Sequence, residues 1–397
     1  MLVFFTLIIS AILGFGALAI DLGYLTLTRV QMESLTDAAA LEGLRQRDSL
    51  GDQERRISAR RTAAWMIDND FDPSSDPLGF GAGPELPLTG GLTEPEGISE
   101  FGASKRIALT AAPSVYKPDL QLNDAENLAH GDMVSGTFLG GPPSEDSDYI
   151  RTDFSPAPAA DSATAPAFLV RLRRTNNRQG LDQLPGVSAS GGPLPLLLGL
   201  GTLISSGGVR VEGFTVRGTS IADARPAWSV GRPYPLTAST PTIPGAAWIV
   251  LTAAFWENLP PDTPMPVTVD AATGVVMSDG TRVGHFNDLS GHPVLSIGAP
   301  LPPSVPAAPL SVNSVGYVPI AAEVNGTERV IGFGRLRQNG TLPGTVEVTR
   351  LAGQIAPRNA TRHLIGGLPA LSEAERAELL NANAGLEEAL LAPVLVR

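Results

Sequence analysis

The sequence predicts an α+β protein tethered to a membrane. An N-terminal transmembrane helix continues into a helical stalk, followed by a mostly antiparallel β ectodomain with a C-terminal amphipathic helix. Three observations predict this. Residues 2–20 form an uncharged apolar run, a helical period continues beyond it without a breaker, and short alternating runs separated by turn dipeptides fill the chain after residue 100. The composition supports a packed core: 43% of the 397 residues are hydrophobic, although Gly 43 and Pro 35 are enriched. With no Cys, there is no disulfide framework, cysteine nucleophile or thiolate metal site. A net charge of −12 argues against non-specific nucleic-acid binding, which needs a basic surface.

The anchor comes first. The run Leu2–Ile20 (LVFFTLIISAILGFGALAI) would span about 28 Å as a helix, close to the hydrocarbon thickness of a bilayer. A cleaved signal peptide and a buried core helix are the competing readings. A signal peptide has a basic start and a shorter apolar stretch, and neither is present here. The first basic residue after the run is Arg29, accompanied by Asp21, Glu33 and Asp37, so nothing holds this side in the cytoplasm. The expected topology is a short N-terminus inside and a large C-terminal domain outside. Ser10, Gly14, Ala17 and Asp21 form a stripe of small residues ending in a carboxylate. Such a stripe lets a partner helix approach closely in lipid, with Asp21 pairing a basic group, unless Asp21 simply sits in water.

From Leu22 to Asp48 the pattern stays helical, and Ala38, Ala39 and Ala40 make a narrow patch suited to close helix packing. Gly51 is expected to break the run and Asp52 to cap a second helix through Trp65 and Met66. The two would form a hairpin standing on the membrane. Residues Ala19-Ile20-Asp21-Leu22-Gly23-Tyr24, then Arg29, Gln31 and Asp37-Ala38-Ala39-Ala40-Leu41, resemble the N-terminal signature of TadG-like proteins, in the Tad/Flp pilus-assembly TadE/TadG group. Fainter similarity continues at His130-Gly131-Asp132, Tyr149 to Phe154, Ala167 to Leu172 and Ser220 to Pro226. The resemblance implies a bacterial inner-membrane protein with a periplasmic domain. Its partners would be inner-membrane lipid and other single-pass Tad pilus-assembly proteins. No Gly followed five residues later by Glu precedes the apolar run, so processing as a major pilin is not expected.

The outer region divides into a Pro/Gly-rich linker (70–100), a β-rich domain (101–240), a β-rich C-terminal region with hairpins (241–351) and a helical tail (352–397). These follow the anchor (1–20) and stalk (21–69). Lys105–Thr110, Asp132–Leu139, Ala167–Thr175, Val209–Val216 and Trp248–Leu251 read as strands. Asn325-Gly326, Asp279-Gly280 and Asn339-Gly340 read as hairpin turns. Pro193–Ile204 is apolar but too short and broken to span a bilayer. It reads as a core loop or a surface patch. Ser372 and Glu375 make a capping box for the tail helix, with Leu379, Leu380, Leu386, Leu390 and Leu391 as its apolar stripe.

The sequence carries no recognisable catalytic or metal-binding motif. His130, His285, His292 and His363 have no metal-ligand spacing, and there is no Walker A string. Gly186–Ser190 lacks the second Gly of a nucleophile elbow, and Glu145, Asp146, Asp148 and Asp153 lack EF-hand order. Arg171, Arg173, Arg174 and Arg178 read as the wet face of a strand or a contact for an anionic partner. The sequence therefore predicts no catalytic residue, no cofactor and no metal. By resemblance, the expected role is non-enzymatic: assembly, anchoring or surface display of a Tad/Flp-type pilus. The alternative is a membrane-tethered adhesin or structural surface protein.

Overall fold

The computed structural model describes residues 2–70, 120, 122, 126–141, 151–174, 215–231, 249–287, 294–301, 303–306, 310–351, 353–355, 360–362, 371–386 and 389–396. In chain order its elements begin with α1 Leu2–Arg45, α2 Asp52–Asp70, β1 Met133–Phe138, β2 Phe154–Pro156, β3 Ala167–Arg174 and β4 Val216–Pro226. Then follow β5 Ser229–Gly231, β6 Ile249–Thr252, α3 Ala253–Asn258, β7 Met265–Val269, β8 Val275–Ser278, β9 Thr281–Phe286 and β10 Val294–Ser296. The last are β11 Leu310–Val324, β12 Thr327–Leu342, β13 Gly344–Arg350, β14 Ala360–Thr361, α4 Glu373–Ala384 and β15 Leu391–Val396. The chain divides into two compact units, Met1–Asp223 with Leu395–Arg397, and Ala224–Val394.

The first unit is a helical hairpin laid on a sheet of order β15-β4-β3-β1-β2. The pleat of β3 explains both faces, because successive side chains point to opposite sides. Ala167 and Leu169 join Val134, Phe154 and Ile221 in an apolar cluster on one face. On the other, Phe168 lies against α1 at Gly43 and under the guanidinium groups of α2. Register carries this face into β4, where Gly218 is paired with Leu172 and Ser220 with Val170. Ser220 Oγ donates to Asp37 Oδ1 at 2.6 Å and lies 2.7 Å from Thr36 Oγ1. A Cβ at Gly218 would stand 3.0 Å from the backbone of Met32, so glycine there is what lets the helix come down onto the strand.

This arrangement revises the stalk. The part of α1 above Tyr24 pairs with α2 as expected, but both helices are a layer of the first unit rather than a free hairpin. The reason is chemical: Met32, Leu35, Ala39 and Leu44 make an apolar face wider than α2 alone covers, and the sheet buries the rest.

The second unit contains a closed barrel of order β11-β12-β13-β7-β8-β9-β6, with a small sheet β10-β5-β14. Its pairs are antiparallel except β6 with β11, which closes the barrel in parallel. Val267, Val269, Val276, Ile320, Leu336 and Val348 belong to its core. Trp256 of α3 is fully buried, with its ring against Gly334 and under the Arg350 guanidinium at 5.4 Å. Two expected turns are present: Asn325 and Gly326 have φ of +48° and +72°, Asp279 and Gly280 +47° and +76°. The third is not a turn. Asn339 and Gly340 lie inside β12, paired with Glu347 and Val346, and the chain reverses between Leu342 and Gly344. Gly340 serves close backbone approach instead, since a Cβ there would stand 2.7 Å from Thr345 O.

The tail also differs. The capping box on Ser372 and Glu375 forms, and α4 buries Leu379. The helix stops at Ala384, however, and Leu391 opens β15 instead of extending an apolar helical stripe. The expected strand Lys105–Thr110, residues 209–214 of the expected strand Val209–Val216, residues 71–100 of the linker, Pro193–Ile204 and Gly186–Ser190 lie outside the described residues. So do Glu145, Asp146, Asp148, Arg178, His292 and His363.

Candidate functional site

Helix α1 has two unlike faces. It is long and apolar enough to cross a membrane, and only 12% of its most apolar stretch is buried inside the protein, unlike a soluble core helix. Phe4, Phe5, Ile8, Ile12, Phe15 and Leu18 are exposed. One line breaks this exposure. Ala17 and Asp21 are 3% and 5% exposed, and Tyr24, Thr28, Met32, Leu35 and Ala39, all buried, continue the line upward at three- and four-residue spacings. Ser10 and Gly14 extend the same line downward. Ser10 is exposed, and a Cβ at Gly14 would meet nothing within 4 Å. The stripe Ser10, Gly14, Ala17, Asp21 is thus the lower end of the helix face that higher up packs within the first unit. Of the alanine patch, Ala39 and Ala40 are fully buried and Ala38 is half-buried.

The layer between helices and sheet holds a polar block that the sequence did not reveal. Asp52 opens α2, and its carboxylate accepts from Arg55 Nη2 and, at 3.0 Å, from Arg56 Nε. Arg55 Nη2 also donates to Ser135 Oγ and, at 2.7 Å, to Ser162 O. Arg56 donates to Met133 O and, at 2.8 Å, to Asn127 Oδ1. Both guanidinium groups stack on the Phe168 ring, at 5.2 and 5.8 Å. Burial pulls the Arg55 pKa down, and Asp52 opposes that pull. The i, i+3 and i, i+4 spacing of Asp52, Arg55 and Arg56 was visible as a surface pairing pattern. What hid its role was burial, which depends on where β1 and β3 fall.

The β3 arginines are not on a wet face. Arg171 and Arg173 are 3% and 5% exposed, and Arg174 is fully buried. Arg171 Nη1 donates to Ala129 O at 2.8 Å and Gly131 O at 3.0 Å, and Arg173 Nη2 donates to His130 O at 2.9 Å. Three loop carbonyls supply partners that a buried guanidinium requires. Burial pushes Arg174 down to about 10, opposed by the neighbouring Tyr24 of α1. That neighbour places the end of β3 at the level where α1 leaves its apolar run.

Other chemistry is sparse. Among the described residues no group of three or more His, Cys, Asp or Glu is placed to hold a metal ion. Asp153 is buried and accepts from Arg151 Nε at 2.6 Å. His285 is buried in the barrel wall with Glu328 Oε1 at 3.8 Å, and desolvation lowers its pKa.

Among the described residues, these features define a protein with one membrane-length helix, at the N-terminus, joined to a β-rich domain. Residues 1–46 match the profile of a family described as "Putative Flp pilus-assembly TadE/G-like". The matched stretch is α1, and it includes nothing of the sheet or the barrel. No curated protein and no solved structure matches the chain.

Proposed function

We propose that this chain is a non-enzymatic component of a Tad/Flp-type pilus system, acting in its assembly, anchoring or surface display. It would sit in a bacterial inner membrane with its short N-terminus in the cytoplasm and its β-rich region in the periplasm. The observation that supports this is the nature of α1. Its sequence matches the TadE/G-like family over residues 1–46, and it is long and apolar enough to serve as a membrane anchor while its upper part is a layer of the first unit. A continuous helix of 44 residues is about 66 Å long, so the embedded end and the folded end move as one body.

Docking of other single-pass components would use the lower part of the small-residue line, at Ser10 and Gly14. Ala17, Asp21, Ala39 and Ala40 are already covered by this chain and support the fold of the helix layer. The experiment is photocrosslinking in native membranes from positions Ser10 and Gly14, with Phe15 as a control. Recovery of single-pass pilus-assembly proteins from the first two positions supports the proposal. Lipid-only or self adducts at both would contradict it and favour a surface protein that uses α1 as a simple tether.

A further inference from the structure

The apolar surface of α1 does not end where the hydrocarbon layer would. Ile20, Gly23, Leu27 and Val30 follow one another at spacings of three and four residues, on a single face. Ile20, Leu27 and Val30 are 52%, 43% and 54% exposed, and a Cβ at Gly23 would meet nothing within 4 Å. The line continues the exposed face of the spanning segment, through Ile9 and Gly16, without interruption. At the same height Tyr24 and Thr28, about 100° around the helix, are buried, and Met32 and Thr36, on the opposite side, meet Gly218 and Ser220 of β4. Beyond Leu22, the exposed large apolar side chains of α1, Leu27 and Val30, lie on that one side.

A helix crossing along the bilayer normal would leave this surface in water. Leu27 and Val30 lie six and nine residues beyond Asp21, about 9 and 13 Å further along the axis. A tilt changes that. Transmembrane helices tilt by up to about 40°, and a tilted helix keeps more residues in the hydrocarbon layer. Its underside also stays against the headgroups further than its upper side does. At about 35°, roughly 24 residues fill the 30 Å core, which brings Leu27 and Val30 into the interfacial layer. Arg29 lies about 160° around the helix from Leu27, 68% exposed and paired with Glu33 at 3.0 Å, on the side that would face water.

We infer that α1 leaves the bilayer obliquely, with the Ile20–Gly23–Leu27–Val30 face resting on the lipid surface and the sheet layer turned away from it. The occupant of this face is lipid because the face is continuous with the surface that already contacts lipid lower in the same helix. This rests on the single-pass topology and not on the pilus role.

The chain has no cysteine, so single substitutions can be labelled without background. Full-length protein is prepared with Leu27→Cys, Val30→Cys, Arg29→Cys or Ile9→Cys, labelled with an environment-sensitive fluorophore and placed in phosphatidylethanolamine/phosphatidylglycerol liposomes. Bilayer-borne nitroxide quencher is compared with aqueous iodide. Labels at Leu27 and Val30 are expected to be quenched severalfold more from the lipid than the label at Arg29. Equal aqueous quenching at all three positions overturns the inference, as does crosslinking of Leu27→Cys to a second chain without lipid-borne quenching. Ile9→Cys reads the single-pass topology separately: lipid-borne quenching there with none at Leu27 rejects the tilt alone.

Discussion

In the second unit the space behind the strands is filled by Trp256 and other apolar side chains, and the buried Arg350 against that indole donates to Trp256 O at 2.8 Å. In the first unit the corresponding space between helices and sheet is filled by Phe168 under two arginines, with Asp52, Asn127 and Ser135 around them. Both solutions place an aromatic ring beneath a guanidinium, but they differ in what must be satisfied. The barrel needs volume filled. The helix–sheet layer needs its buried guanidinium groups held by partners on β1 and the loops, and in return its register is fixed by directional bonds as well as by fit. A helix that also passes into a membrane faces an added demand, because it must not slide along the sheet that holds it. Hydrogen bonds from α2 to β1, and from α1 to β4 at Ser220, specify position along the axis in a way that aliphatic contact does not.

The largest expected effect tests the barrel side. Trp256→Ala should destabilise the second unit by about 3–5 kcal/mol, since it opens a ring-sized cavity and removes the surface beneath Arg350. Hydrogen exchange resolved by segment should show the loss in β6, β12 and β13, with the helix layer unchanged. Arg56→Ala should cost the first unit about 3 kcal/mol, because Asp52, Asn127 and Met133 O lose a buried donor. Exchange at β1 and β3 reads that loss. If Arg56→Met were as stable as the parent, the directional account of this layer would fail. Gly43→Ala comes next, at about 1–3 kcal/mol, because its methyl group would enter the Phe168 ring, which is fully buried and has nowhere to go.

The smallest effect is a pH dependence of the second unit. His285 is held neutral by burial, with its pKa below the ordinary 6.5. The unfolded chain takes up that proton first, so the contribution is fully present above about pH 6.5 and fades as pH falls through the lower folded value. Glu375, held down to about 2 by Ser372 and then Asn325, loses its contribution only below about pH 4.5. Thermal melts of His285→Gln should lack the first step and keep the second.

The fold was legible where local chemistry decides it. The membrane-length helix, the helix break near Gly51, the turns at Asn325-Gly326 and Asp279-Gly280, and the Ser372–Glu375 cap all follow from residues close in sequence. What was hidden depends on residues far apart. Arg171 and Arg173 alternate with Val170 and Leu172 as a half-wet strand should, and only the return of residues 129–131 over that face buries them. Gly340 next to Asn339 imitates a turn, while its real neighbour is the backbone at Thr345. The small-residue stripe of α1 was visible, but its upper half belongs to the protein's own packing and not to open surface.

In this structure α1 is one helix whose upper half is locked onto the sheet while its lower half has the length and hydropathy of a membrane span. Thr36→Cys with Ser220→Cys tests it directly, since the two native hydroxyl oxygens lie 2.7 Å apart and the background is cysteine-free. In native membranes under mild oxidation, the pair should close into an intramolecular disulfide in nearly all molecules, protecting both thiols from maleimide. Free alkylation of both thiols, with the protein still folded by exchange, would mean that the helix stands apart from the sheet and would contradict the account.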